Sequence, residues 1–234
     1  MRARFEVACG VALVLGCSGS AAPGGTTDRE TSVSRRASSA GSDANDAPVD
    51  RDPAPSEPAL DAETAALANA FEERLSVGTR RDGTRVLTPR CRNAPVDCSA
   101  RLRAFARLIR EVATAHEIDP LLLAAMALRE SGLDPAALGR NREAGIVQLH
   151  PRGAGRGVRY VEDSAYRERC QSEVDACQRE VLEVGVRTLT EGIERCGGLR
   201  AGLGAYASGH CTSSARYIDR VFEERDRLRA LTER

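Results

Sequence analysis

The chain contains no lysine and no tryptophan. Arginine supplies all 34 basic groups, and 34 acidic residues balance them to a formal net charge of +0. That balance excludes the basic excess that nucleic-acid binding requires. The missing lysine reads as a coding preference, and the Arg-rich stretches also carry Glu and Asp, as a solvated charged face does. With no Trp and aromatics at 3%, the core has to be built from Leu, Val, Ile and Ala. No C-x-x-C pair occurs and the three histidines (His116, His150, His210) are scattered, so no zinc or other metal site is expected. Nothing in the pattern calls for a cofactor. No strand pattern of useful length and no internal repeat is visible. The 234 residues leave room for one ordinary domain plus tails.

What is present begins with "MRARFEVACGVALVLGC". Two early arginines precede an apolar stretch at 7–16, too short for the about 20 residues of a membrane-spanning helix. It fits the apolar region of a secretory signal. Its end, Val14-Leu15-Gly16-Cys17, resembles a lipobox in which Cys17 takes the lipid. Leu15 is larger than the usual residue there and Glu6 is an early acid, so plain secretion and a retained anchor stay open beside lipidation. The expectation is an exported lipoprotein held at a membrane by its acyl chains, on the periplasmic face of the outer membrane or elsewhere in the cell envelope. Residues 18–58 are rich in Ser, Ala, Gly, Pro and Asp and nearly devoid of large apolar side chains. Such a segment reads as a disordered linker. Residues 59–90 read as an N-terminal helix and connector, and 91–234 as the folded domain.

Within 91–234, apolar Leu102, Phe105, Leu108, Ile109 and Val112 recur at helical spacing, which predicts a helix over 100–117 with Ser99 as N-cap. Asp119-Pro120 then opens a second helix, by an Asp cap and a Pro in the first turn. The residues at 121–128 are all apolar, and Gly132 ends the run. A helix apolar on every side is expected at the centre of an all-α domain. Further helices are predicted over 175–195, through "LRAGLGAYAS", and through the C-terminal "SSARYIDRVFEERDRLRALTER".

Glu130 closes the apolar helix, where both the helix dipole and burial disfavour a carboxylate. A carboxyl group with a raised pKa suits protonation of a leaving oxygen. The alternative is a solvent-exposed acid paired to Arg129. "ESGLDP" (130–135), "AGIVQLHP" (144–151) and "GAYASG" (204–209) follow in this order, with "ARYIDRVF" at 215–222 and Gly185 inside the third predicted helix. Together they resemble the catalytic domain of the soluble lytic transglycosylases, a family similar in fold to goose-type lysozyme. The resemblance covers about 99–226 and implies a lysozyme-like transglycosylase domain. It implies that Glu130 is a lone general acid and then base. Glu130 would cleave the MurNAc–GlcNAc bond of peptidoglycan glycan strands and leave 1,6-anhydro-MurNAc ends. It also implies substrate-side roles for Ser131, Gly145, Ile146, Gln148 and Tyr206, with the Tyr206 hydroxyl orienting Glu130. Ile146-Val147 stands for the usual Leu-Met, Ala207 for an Asn and Val181 for another Asn. A lysozyme-like hydrolase and a catalytically silent wall-binding module therefore remain as alternatives.

Removing Cys9 with the signal and Cys17 to lipid leaves six cysteines, an even number suited to disulfides in an oxidising compartment. Cys91 and Cys98 enclose Pro95 and close easily as a loop. Cys170 and Cys177 would stand about 10 Å apart along a continuous helix, so their pairing requires the third helix to begin at or after Asp175. Cys196 and Cys211 pair by elimination, which asks the helix between them to be short or bent.

Overall fold

The computed structural model describes residues 59–88, 91, 97–170, 174–212 and 215–234. The signal segment, Cys17, the linker 18–58 and Pro95 lie outside them. Among the described residues the chain forms eight helices and one short hairpin. Helix α1 (Ala62–Arg74) starts at Asp61, whose carboxylate accepts from the Thr64 amide at 2.9 Å. Leu67, Ala68, Ala70 and Phe71 are buried against α2 (Cys98–Ala115) and α8 (Ala215–Thr232). Arg74 forks onto the buried Glu224 of α8, Nε to Oε1 at 2.6 Å and Nη2 to Oε2 at 3.1 Å. The helix that the sequence sets apart with a connector thus shares the core of the domain.

Strands β1 (Ser76–Thr79) and β2 (Arg85–Leu87) pair antiparallel, with a bulge between Ser76 and Gly78. The sequence reading found no strand here. Four and three mostly exposed residues are too few to show a period of two.

Helix α2 begins two residues before the predicted start. Asp97, not Ser99, is its cap, accepting from the Ala100 amide at 2.9 Å. Its Leu102, Phe105, Leu108, Ile109 and Val112 are all buried, as their spacing requires. Helix α3 (Pro120–Glu130) is capped by Asp119 and opened by Pro120; Leu122 to Ala127 are buried without a gap. It packs against α2 and α8. The chain belongs to the all-α class, with α3 as its buried helix.

Two short helices, α4 (Arg159–Glu162) and α5 (Ser164–Arg169), precede α6 (Val174–Cys196). Neither is long enough to carry a helical period, so no helix was expected there. Helix α6 packs on α2 and on α7 (Leu199–Ser208). The α6–α7 approach is close because both partners are glycines. A Cβ on Gly202 would lie 2.8 Å from the Ile193 Cα and amide nitrogen, and one on Gly192 would lie 3.1 Å from the Gly202 carbonyl oxygen.

Disulfides join Cys91 to Cys98, Cys170 to Cys177 and Cys196 to Cys211, with Cα–Cα distances of 5.3, 5.7 and 5.4 Å. Helix α6 starts at Val174, one residue before the limit argued from helical rise, and Cys177 still reaches Cys170. The last pair does not need a shortened α7, which runs its full ten residues. The turns on either side fold back instead, through Gly197, Gly198 and Gly209 at φ 76°, 153° and 78°. Only glycine enters those regions without strain. Among the described residues no helix is long and apolar enough to cross a membrane.

Candidate active site

The last turn of α3 places Glu130 half-buried at the helix C-terminus. Burial pushes its carboxyl above the usual carboxylate range, and the nearby Glu143 charge adds to the rise. The Tyr217 hydroxyl and Arg129 pull the other way. Burial is the largest cause, so the group is held toward its protonated form.

The residue after it turns inward. Ser131 is 2% exposed, and its hydroxyl donates to the carbonyls of Ala127 (3.2 Å) and Ile146 (2.9 Å). It ties the end of α3 to the 144–149 loop. Two antiparallel bridges, Leu138 to Ala144 and Ala144 to Leu149, fold that loop, with Gly145 at φ 82° and Gln148 at φ 50°. These two positive φ values turn Ile146 and Val147 into the core, where both side chains are 0% exposed. Ser131 and Ile146 were expected on the substrate side. In the structure both side chains are buried and brace the loop from within.

Gly145 is required for packing against α6. A Cβ there would lie 2.5 Å from Val181 Cγ1. Gly185 serves the same purpose a turn further along α6, where a Cβ would lie 2.8 Å from Val147 Cγ2. Val181 itself is fully buried and offers no polar contact. The contact comes from Gln178, a turn earlier on α6, whose Oε1 accepts from the Ile146 amide at 3.0 Å. Gln178 is 0% exposed, and its Nε2 has no hydrogen bond among the described residues. Sequence reasoning missed it. The available signal was a polar residue directly beside Cys177 in the apolar stripe of that helix.

Gln148 is half-buried. Its Nε2 donates to the carbonyls of Ala137 (3.1 Å) and Gly145 (2.9 Å) and so closes the loop on itself. Tyr206 does not hydrogen-bond Glu130. Its hydroxyl donates to the Val147 carbonyl at 2.6 Å, although it lies near enough to feel the Glu130 charge. The hydroxyl that does act on Glu130 belongs to Tyr217 at the start of α8. It is buried, it makes no hydrogen bond of ordinary geometry among the described residues, and burial and the Glu130 charge together raise its pKa far above the usual tyrosine range. Tyr217 stands in "ARYIDRVF", where the sequence signalled a tyrosine-bearing helix but no role. Ala207 is exposed and contributes no polar group to the arrangement.

The structure therefore gathers the end of α3, the 144–149 loop, Tyr206 of α7 and Tyr217 of α8 around one carboxyl group. The concavities of about 610, 540 and 340 Å³ elsewhere on the surface do not include Glu130. Such an arrangement can deliver and recover a single proton. No curated protein matches the chain. The sequence profile of the family described as the transglycosylase SLT domain matches residues 107–227, from the middle of α2 into α8 and over more than half of the chain. The chain belongs to the transglycosylase SLT domain family.

Proposed function

We propose that this protein is a peptidoglycan lytic transglycosylase in which Glu130 is the acid and then the base. SLT domains act on peptidoglycan in the cell envelope, and membership in the family supplies that general activity. The observation that carries the specific reading is the setting of Glu130: one carboxyl group at the end of a buried helix, biased toward its protonated form, with the Tyr217 hydroxyl beside it. Protonated Glu130 donates to the glycosidic oxygen between N-acetylmuramic acid and N-acetylglucosamine as the bond breaks. The resulting carboxylate accepts the proton of the muramoyl C6 hydroxyl, whose oxygen closes a 1,6-anhydro ring. The carboxyl group returns to its starting state and no water is consumed. Tyr217 positions Glu130, and Tyr206 holds the loop through Val147. Gln148 presents its amide oxygen, which no described residue engages, to the sugar.

A second reading, hydrolysis of the same bond, is favoured by one observation. Glu143 lies within electrostatic reach of Glu130, and a second carboxylate is what a two-carboxylate glycosidase uses to activate water. Against it, both Glu143 oxygens already accept from Asn141, through its amide and its side chain, each at 2.9 Å. Three disulfides support maturation in an oxidising compartment, consistent with export and with lipidation at Cys17 as the means of holding the domain at the envelope. Digestion of purified sacculi followed by mass spectrometry tests the proposal. Anhydro ends, one water lighter than reducing ends, are expected from the native protein, and none from folded Glu130→Gln. Reducing ends would establish the hydrolase, and no digestion would leave a silent wall-binding module.

A further inference from the structure

The turn at 145–148 satisfies its own backbone only in part. The Gln148 amide and side chain both donate to the Gly145 carbonyl, at 3.0 and 2.9 Å. Behind the turn, Ala144 and Leu149 exchange backbone hydrogen bonds of 3.2 and 2.9 Å. These bonds leave the Ile146 amide and the carbonyls of Ile146 and Val147 without a partner inside the turn, and both residues are fully buried. A buried peptide group left unpaired is costly. Three helices supply what is missing. Ser131 at the end of α3 donates to the Ile146 carbonyl, and Tyr206 of α7 donates to the Val147 carbonyl. Gln178 of α6 accepts from the Ile146 amide at 3.0 Å and is the acceptor of the set.

The approach of Gln178 is tightly specified. A Cβ on Gly145 would lie 2.5 and 3.1 Å from Val181 Cγ1 and Cγ2 and 3.4 Å from Gln178 Oε1. Residues 178 and 181, one turn apart on α6, thus converge on the same point of the loop, and only the first brings a polar atom. The Ile146 N–H calls for an oxygen, which fixes the orientation of the Gln178 amide. Its nitrogen then makes no hydrogen bond among the described residues. The Tyr160 hydroxyl, which donates to the Pro135 carbonyl, lies near enough to feel this amide. Gln178 therefore stands between the segments 131–135 and 144–149, the first of which leads directly from Glu130. Two residues beyond the Ile146 tie, Gln148 holds φ 50°. A non-glycine residue keeps such a φ only where its surroundings over-determine it.

We propose that Gln178 is a positioning residue for the reaction: through the Ile146 amide it holds the loop so that Gln148 faces the sugar beside Glu130. It touches neither substrate nor reacting atoms. This rests on the functional reading above for the identity of the substrate.

The test uses the whole protein, disulfides intact, and reads two quantities: exchange of the Ile146 amide by NMR, and turnover of purified sacculi well below every variant's melting transition. Gln178→Met keeps the length of the side chain and removes the acceptor. It is expected to speed exchange at Ile146 by at least about tenfold, while Ala124 and Ala125 of α3 keep their native rates. Turnover is expected to fall by about tenfold to a hundredfold. Leu67→Ala on α1 also removes core packing, and it is expected to keep turnover within about twofold of native. Gln178→Met with Val181→Asn returns an acceptor to the same point and is expected to recover protection and turnover together. Should Gln178→Met fail to fold, Gln178→Asn withdraws the acceptor by one methylene and carries the same expectation. Any folded variant in which turnover and Ile146 protection part company would overturn the proposal, as would equal loss of turnover in Leu67→Ala. Protection that depends on Gln178 in a protein that digests no sacculi would remove the catalytic reading and keep the loop tie. Digestion that is indifferent to Gln178 would do the reverse.

Discussion

Burial holds the Glu130 carboxyl above the usual carboxylate range, so the folded protein binds this proton more tightly than the unfolded chain, whose glutamates titrate near ~4.3. Below that pH the group is protonated in both states and costs nothing. As pH rises through the raised folded value, the ionised form becomes a burden on the folded state alone, and stability is lost. Glu130→Gln removes this titration. Its melting temperature is expected to match the native protein's in acid and to exceed it at neutral pH. Parallel melting curves across pH would contradict the assignment. The two tyrosines separate in a different measurement. Tyr217→Phe deletes a donor that lowers the Glu130 pKa, so the alkaline limb of the pH–rate profile is expected to move upward. Tyr206→Phe deletes the bond to the Val147 carbonyl. It is expected to cost about 1 kcal/mol of stability and to slow turnover without moving that limb. The position of the candidate acid was legible in the sequence: an apolar run at 121–128 places Glu130 in the last turn of a buried helix, where the structure has it. Which tyrosine faces it was not, since that depends on how α7 and α8 cross. The inward turn of Ser131 and Ile146 was not legible either, because residues beside Gly132 and Gly145 point into the core where the backbone turns at positive φ.

Helices declare themselves by period. The apolar residues of α2 and α3 fall where their spacing puts them, while the hairpin, α4 and α5 are too short to show any period. The junction of α6 and α7 was legible as two glycines that break a helix, but not as a close crossing. Gly202→Ala is the direct probe of that crossing. The added methyl meets the Ile193 backbone, which cannot swing aside as a side chain can. Overpacking of about 1–3 kcal/mol, offset by roughly 1 kcal/mol of helix propensity, is expected to lower the midpoint of denaturant unfolding. The Cys196–Cys211 bridge clasps the same corner. It closes a span of 15 residues against 7 for each of the other two. Chain entropy alone then assigns it about 3.0 kcal/mol, against about 2.4 kcal/mol for the shorter loops. Replacing Cys196 and Cys211 together by Ser is expected to cost more stability than either of the other paired replacements, read from urea midpoints.

At the scale of the molecule, the family match begins at residue 107, but the core does not. Leu67 and Phe71 of α1 and Leu102 and Phe105 of α2 are buried in it. A fragment of residues 107–227 is expected to bind hydrophobic dye and to unfold without a cooperative transition, whereas residues 59–234 are expected to melt as a unit. Composition foretold balanced charge and apolar spacing foretold helices, but neither could foretell this boundary, because a helix's pattern shows that it has an apolar side but not what that side rests on. The position of α1 also has a mechanical consequence. Any tension on the chain ahead of residue 59 enters the domain through α1. It is borne first by the ion pairs of Asp61 and Glu63 with Arg110 and by the contacts of Leu67, and only then by Phe71 and the Arg74–Glu224 fork, none of which includes Glu130. Helix α1 lies in the load path as a shock absorber: pulled, it would peel before α3 felt the strain.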